Sequence, residues 1–276
     1  MPELPEVETV RRTLNKLVTG KTITDVIVKL PRLIKAPDDT VLFIELMKGQ
    51  TIRDVGRRGK FLLFYLDDFV MVSHLRMEGR YGLYQEKDDV EKHTHVIFQF
   101  ADATELRYKD VRTFGTMHLF AKGKEMAGPP LHKLGPEPLD KTFTAELLKE
   151  RVKRRKSKIK TLLLNQEIIV GLGNIYVDEA LFQAGIHPEK VPDELTDEQW
   201  KALHISIVQI LSESILLGGS SIKSYVDGQG QEGQFQHTLK AYGRTGEPCV
   251  VCGTPIEKFV VGGRGTHICP SCQPRN

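Results

Sequence analysis

Cys249-Val250-Val251-Cys252 and Cys269-Pro270-Ser271-Cys272, two Cys-x2-Cys pairs separated by sixteen residues, decide how the C-terminal end of this chain folds. The stretch that carries them, 243–276, is Gly-rich and too short to bury a core of its own. Four thiolates at this spacing suit a tetrahedral zinc site made by two turns facing each other across a β-hairpin. A pair of disulfides is the alternative, and a reducing compartment disfavours it. Such a zinc is structural, because four sulfur ligands leave no position open for water. Between the pairs the pattern predicts strands over 256–261 and 266–268, with Gly262-Gly263-Arg264-Gly265 at the tip. An arginine among glycines can approach a ligand closely, and phosphate is its simplest partner. A solvated turn residue is the plainer reading.

Upstream of this ribbon, helical spacing covers 144–153, 157–164, 176–184, 196–217 and 220–225, with Thr196 as an N-cap and Gly218-Gly219 as a stop. The window 151–160, RVKRRKSKIK, holds seven bases and no acid, which fits either a polyanion contact or a solvated face. Before it, 131–143 is a Pro/Gly-rich connector that follows Pro129-Pro130 and reads as a domain boundary. The region from about Ile23 to Phe120 is punctuated by turns. It predicts strands over 23–29, 49–55, 61–66, 70–73, 81–84, 95–100, 105–109 and 116–120, the spacing of a β-sandwich or barrel. A helix is predicted from near Pro5 to Val18, with Val7, Val10, Leu14 and Leu17 on its apolar side.

The chain of 276 residues allows two domains, and its 40% hydrophobic and 27% charged composition is that of a globular protein. The most apolar window, 205–217, is too short and too interrupted by polar residues to span a bilayer. The N-terminus lacks the basic-then-apolar pattern of a signal peptide, so a cytoplasmic location is expected.

At the N-terminus, Met1-Pro2-Glu3 has a chemical reading and a plain one. If Met1 is removed, Pro2 presents a secondary amine beside a carboxylate, and an amine attacking an electrophilic carbon forms a Schiff base. An α-amino group titrates near pH ~8, and a helix N-terminus facing it favours the neutral form. An ordinary start codon and helix start explain the same three residues.

Four blocks in order, PELPEVETVRR (2–12), RRGKFLL (57–63), GLGNIYVDEALF (171–182) and the PCxxCG…GGRGTHxCPxC ribbon, closely resemble bacterial formamidopyrimidine-DNA glycosylase over essentially the whole chain. The related endonuclease VIII group usually opens Pro-Glu-Gly-Pro, so Leu4 favours the oxidised-purine enzyme. The resemblance implies an α+β fold. Its parts are an N-terminal catalytic β-sandwich over 1–130 that includes the N-terminal helix, a linker over 131–143, a helical helix–two-turn–helix domain over 144–242, and a zinc ribbon over 243–276. It implies action on damaged double-stranded DNA as glycosylase and abasic-site lyase in base excision repair. A monomer is the simplest expectation, because one subunit already supplies both walls of a DNA cleft.

By the same resemblance Pro2 is the nucleophile, Glu3 its acid–base partner, Lys60 an aid to β-elimination, and Arg264 a phosphate ligand that assists the δ step. Met77, Arg112 and Phe114 fill the gap left by the extruded nucleotide, with Arg112 reading the orphaned base; these residue types suit wedging into a base stack. Phosphate contacts fall to His74, His93, Arg155, Asn174, Tyr242 and Lys258, and Ser220, Ser224 and Tyr225 belong to a loop that reads the lesion. Cys249, Cys252, Cys269 and Cys272 hold the zinc. One departure is Asn165-Gln166, where the family often has Asp-Gln. A different class of function, binding a lesion without chemistry, would follow if Met1 were retained.

Overall fold

A computed structural model describes residues 1–221 and 230–275. The chain forms two compact units, one of Met1–Lys133 with Gly218–Gly233 and one of Leu134–Leu217 with Gln234–Asn276.

The first unit is built on two sheets. Strands β1 (Ile23–Val28), β7 (Thr94–Phe100), β8 (Thr104–Lys109) and β6 (Arg80–Gln85) form one in that order, and their pairings are all antiparallel. The other runs β2 (Ile34–Ala36), β9 (Thr116–Ala121), β5 (Phe69–His74), β4 (Phe61–Tyr65), β3 (Asp54–Arg58), with β2 parallel to β9. Alternating burial, as in β7 and β9, turns one face of each strand to a shared core that includes Val55, Leu62, Phe64, Val96, Phe98 and Tyr108. Helix α1 (Leu4–Val18) adds Val7, Val10, Leu14 and Val18 to that core. The helix therefore begins one residue before the predicted start.

Three parts of this unit differ from the sequence expectation, the first being β2, which lies in no predicted strand and pairs in parallel with β9. The strand predicted over 49–55 lies at Asp54–Arg58, because its ladder with β4 begins at Asp54↔Tyr65, while Thr51 makes only an isolated bridge to Thr22. Strand pairing outweighs the charge of Arg57 and Arg58, and Glu8 pairs with the Arg57 guanidinium at 3.1 Å. Helix α2 (Thr40–Met47) was not expected; the Asp39 carboxylate caps it by accepting from the Val41 and Leu42 amides.

Topology matters most at one end of the sandwich. Segment 75–79 carries the chain from β5 to β6, and segment 110–115 carries it from β8 to β9. Since β5 pairs with β9 and β6 with β8, ending at His74↔Thr116 and Arg80↔Lys109, the two crossovers between sheets run side by side.

The second unit holds α3 (Ala145–Val152), α4 (Ile159–Leu163), α5 (Asn174–Gln183), α6 (Asp197–Leu216) and the hairpin β10 (Glu257–Val261)–β11 (Arg264–Ile268). Thr144 and Thr196 cap α3 and α6 through their hydroxyls. Turns over 164–173 join α4 to α5, and the Gln166 side chain braces them through Gly171 N–H and the Leu164 and Leu172 carbonyls. At the position of the departure noted above, Asn165 accepts from the Glu167 amide at 2.9 Å through its side-chain carbonyl oxygen. The helix predicted over 220–225 is not present at Ser220 and Ser221, and the rest of it lies outside the described residues. Among the described residues no helix is long and apolar enough to cross a membrane.

Candidate active site and metal centre

Pro2 is buried immediately before Glu3, the N-cap of α1, and Glu3 is only 3% exposed. Glu6 organises this corner. Its Oε2 accepts the Glu3 amide at 2.8 Å and its Oε1 accepts the Ser220 amide at 2.7 Å. The chain stays close at that second contact because Gly219, at φ +82°, lies where a side chain would meet Glu6 Oε1 at 2.9 Å. Gly233 passes against the Gly219 carbonyl, and its amide donates to Ser221 Oγ at 2.9 Å. The Ser220 amide is thus held on α1, while Ser224 and Tyr225 lie outside the described residues.

Lys60 sits in the tight β3–β4 turn after Gly59, whose φ of +56° the turn requires, and it is 6% exposed. Its burial sets it apart from a surface lysine. The neighbouring His74, at the end of β5, has its pKa lowered to about 3 by burial, with Arg76 and Lys60 adding to the effect. It is therefore neutral, and its Nδ1 accepts the Arg76 amide at 2.9 Å, which leaves the proton on Nε2.

The crossovers present the other predicted groups of this unit. Arg112 and Phe114 are exposed, Phe114 by 52%, and the guanidinium stacks over the ring at 4.9 Å. Met77 is half-buried on the neighbouring crossover. His93, half-buried at φ +66°, receives the Asp110 amide on its carbonyl at 3.0 Å.

In the second unit the ribbon draws its core partly from α5: Phe182 packs with Ala241, Cys249, Ile256 and Cys269. The four sulfurs lie within 4.8 Å of one another. Contacts of 3.4 to 3.8 Å between them match the edges, about 3.8 Å, of a tetrahedron with Zn–S of ~2.3 Å, and exceed a disulfide bond of ~2.05 Å. Amides of Val251 and Cys272 point at Cys249 Sγ and Cys269 Sγ, each at 3.4 Å, and stabilise thiolate charge. The residues fit one structural zinc.

The tip is a Gly262-Gly263 turn, so Arg264 opens β11 opposite Val261 and its side chain is exposed. Behind it lies a group that the sequence reading missed. Lys160 is fully buried and donates to Asp178 Oδ1 at 2.6 Å, Thr266 Oγ1 at 2.8 Å and the Gly265 carbonyl at 3.0 Å. Thr266 Oγ1 in turn donates to the Arg264 carbonyl, and Asn174 Nδ2 donates to Gly265 at 2.8 Å. Asp178 Oδ2 accepts the His267 amide at 3.0 Å. Lys160 belongs to the basic run 151–160, where its burial distinguishes it. In that run Arg151 binds the carbonyls of Glu167 and Ile168, and Lys153, Lys156 and Lys158 pair with carboxylates. Arg155 is exposed. Tyr242 stacks edge-on against His267, and its amide is held by the buried Glu179, whose pKa burial raises. Lys258 is exposed on β10.

A capping-box spacing, Glu3 to Glu6, was the available signal for Glu6. No comparable signal marks Asp110 or Lys160.

These two units match known parts of a DNA repair glycosylase. Residues 1–117 match the formamidopyrimidine-DNA glycosylase N-terminal domain, 134–226 the formamidopyrimidine-DNA glycosylase H2TH domain, and 246–275 a zinc finger found in FPG and IleRS. The chain belongs to the formamidopyrimidine-DNA glycosylase family. It is 63% identical over 275 residues to the formamidopyrimidine-DNA glycosylase of Shouchella clausii, covering 100% of both chains. It is 64% identical over 273 residues to that of Halalkalibacterium halodurans, with 99% of this chain and 100% of the relative covered. Among solved structures it resembles Lactococcus lactis Fpg in complex with DNA containing an abasic site, at TM-score 0.92, 44% identity and 99% of each chain. The wild-type Lactococcus lactis protein with N7-benzyl-Fapy-dG DNA gives 0.92 and 44%, covering 99% of this chain and 100% of that one. The expected α+β class, family and zinc site are all borne out.

Proposed function

We propose that this enzyme, a DNA glycosylase by family, excises oxidised purines from duplex DNA and then cleaves the strand as an abasic-site lyase. The observation that carries the reading is the buried N-terminal corner, where Pro2 precedes a Glu3 that is 3% exposed and whose amide is fixed by Glu6. With Met1 removed, the Pro2 nitrogen becomes a secondary amine that attacks C1′ of the damaged nucleotide. The base leaves, Glu3 protonates the opening sugar, and the resulting iminium acidifies the C2′ proton for β-elimination. Lys60 assists that elimination, and Arg264 holds phosphate for the δ step.

Met77, Arg112 and Phe114 fill the gap left by the extruded nucleotide, and the exposure of Phe114 supports this over a core role. His74 donates Nε2–H to a phosphate as a neutral group. Asn174 has one amide hydrogen engaged with Gly265 and a second for phosphate. His93, Arg155, Tyr242 and Lys258 complete the phosphate contacts, and the loop rooted at Ser220 reads the base. The division of labour is a catalytic domain over 1–130, a linker over 131–143, a DNA-binding domain over 144–242 and a ribbon over 243–276, acting as a monomer.

Borohydride reduction in the presence of 8-oxoguanine:cytosine duplex tests the mechanism. The native chain, with Met1 shown absent by intact mass, forms a covalent adduct; Glu3→Gln forms none on the base-bearing lesion, and Pro2→Gly retains a primary amine and a reduced yield. Cleavage without any trappable adduct would overturn the Schiff base. Faster excision of thymine glycol than of 8-oxoguanine would overturn the purine assignment.

A further inference from the structure

The side-by-side crossovers 75–79 and 110–115 meet on one buried pair of side chains. Tyr108, fully buried on β8, places its hydroxyl where a Cβ on Gly79 would lie 2.2 Å away and a Cβ on Gly115 only 1.7 Å away. The two glycines are therefore the space into which the tyrosine fits, one on each crossover. The same hydroxyl donates to Asp110 Oδ2 at 3.3 Å. Asp110, 1% exposed, also accepts the Gly115 amide on Oδ2 at 2.8 Å and the Arg112 amide on Oδ1 at 3.0 Å. Its backbone is tied to the start of β7 at both ends, the amide to the carbonyl of His93 just before that strand and the carbonyl to His95 Nε2 at 2.9 Å. On the other crossover Gly79 closes its turn by donating to the Leu75 carbonyl at 2.9 Å, with Met77 projecting between them in sequence. One carboxylate thus shapes the loop bearing Arg112 and Phe114, and one tyrosine abuts that loop and the Met77 turn together.

We infer that Tyr108 and Asp110 are positioning residues that join the two crossovers into a single rigid wedge, so that Met77, Arg112 and Phe114 enter the base stack in fixed register. The inference rests on the proposed gap-filling role of those three residues. A wedge whose halves moved independently would lose part of the binding energy that offsets unstacking of the extruded base. Because this post of Tyr108 and Asp110 has neither Pro2 nor Glu3 among the hydrogen-bond partners described, its loss acts on extrusion and leaves the covalent step intact.

Two substrates separate these steps for the full-length enzyme with its zinc. Single-turnover excision of 8-oxoguanine paired with cytosine requires extrusion of a stacked base. Borohydride trapping on a preformed abasic site requires none. Asp110→Asn is expected to slow excision about 10- to 100-fold, and Tyr108→Phe about 3- to 10-fold, the scale of small misplacements remote from the chemistry. Trapping at the abasic site stays within about 2-fold for both. Equal loss on the two substrates would mean a merely structural role, and no loss on either would mean that the wedge needs no post; either outcome overturns the inference. If Asp110→Asn does not fold, Tyr108→Phe decides alone, since it removes one oxygen. Met77→Ala and Phe114→Ala run in parallel. If they leave paired-lesion excision unchanged, the wedge reading itself falls and the post with it. If they slow excision while Tyr108→Phe and Asp110→Asn do not, the post alone is wrong.

Discussion

The crossover loop carrying Arg112 and the ribbon tip carrying Arg264 both present an exposed arginine at a turn, yet they are held in different ways. Asp110 shapes the loop by accepting backbone amides, and the large core of the sandwich lies directly beneath through Tyr108. The tip belongs to a hairpin with almost no core, and it is fixed by an ammonium that reaches backbone and hydroxyl oxygens, with a metal site at the hairpin's other end. Polarity differs because the needs differ: the loop turns its amides inward, whereas the tip turns carbonyls inward. A region with a core can be positioned by hydrogen bonds alone. One without a core needs a buried ion pair and a metal.

Removing the metal should give the largest effect and fall only on one side of the comparison. Structural zinc contributes on the order of 10 kcal/mol to such sites, so chelation unfolds the ribbon and disables Arg264. Circular dichroism melts should then retain the transition of the sandwich, while DNA affinity at moderate salt falls sharply; full affinity after proven metal loss would contradict the role given to the tip.

Lys160→Met sharpens the same contrast. It strands Asp178 in a buried site, at a cost of about 3 kcal/mol or more. Urea unfolding should show that loss in the second unit, accompanied by weaker strand cleavage than base release. A loss below about 0.5 kcal/mol, the range of ordinary surface substitutions, would show that the ion pair does not fix the tip.

On the sandwich side, His74 supplies a pH test. Its folded pKa of about 3 lies below the ordinary value of 6.5, so the folded state favours the neutral ring. The associated stability is fully present above pH ~6.5 and is lost at up to ~1.4 kcal/mol per pH unit as pH falls toward 3. Between pH 6.5 and 5.5 the native chain should therefore lose about 1 kcal/mol relative to His74→Gln in denaturant melts. Parallel pH profiles for the two would show that the histidine is not held neutral.

Phe114→Ala is expected to change stability least, within about 0.5 kcal/mol, because the ring is already half exposed. Excision of a paired lesion should nevertheless slow. Destabilisation of several kcal/mol would place the ring in the core and remove it from the wedge.

Several of these features were open to reading in the sequence, and the reasons are local. The Cys-x2-Cys spacing constrains which sulfurs can share a tetrahedron, and the N-cap of α6 at Thr196 follows from its own short-range hydrogen bond. Helix α2 escaped because its Asp39 cap precedes a run, Thr40 to Met47, that is apolar almost all round and so lacks a clear helical face. The strand at 54–58 was displaced because its charged residues gave no strand signal, and Glu8, far away in sequence, neutralises Arg57. Lys160 was one base among seven in RVKRRKSKIK. Its partner Asp178 and the hairpin it holds come from separate parts of the chain.

Family, the α+β order of segments and the zinc ligands follow from motif spacing and periodicity, which are properties of neighbouring residues. Tertiary structure alone decided which side chains are buried, which are presented, and what stands behind them. Glu6 holding both Glu3 and Ser220, Tyr108 fitting between Gly79 and Gly115, and Lys160 reaching Gly265 all join residues distant along the chain. Burial and hydrogen bonding depend on such neighbours, and no local pattern encodes them.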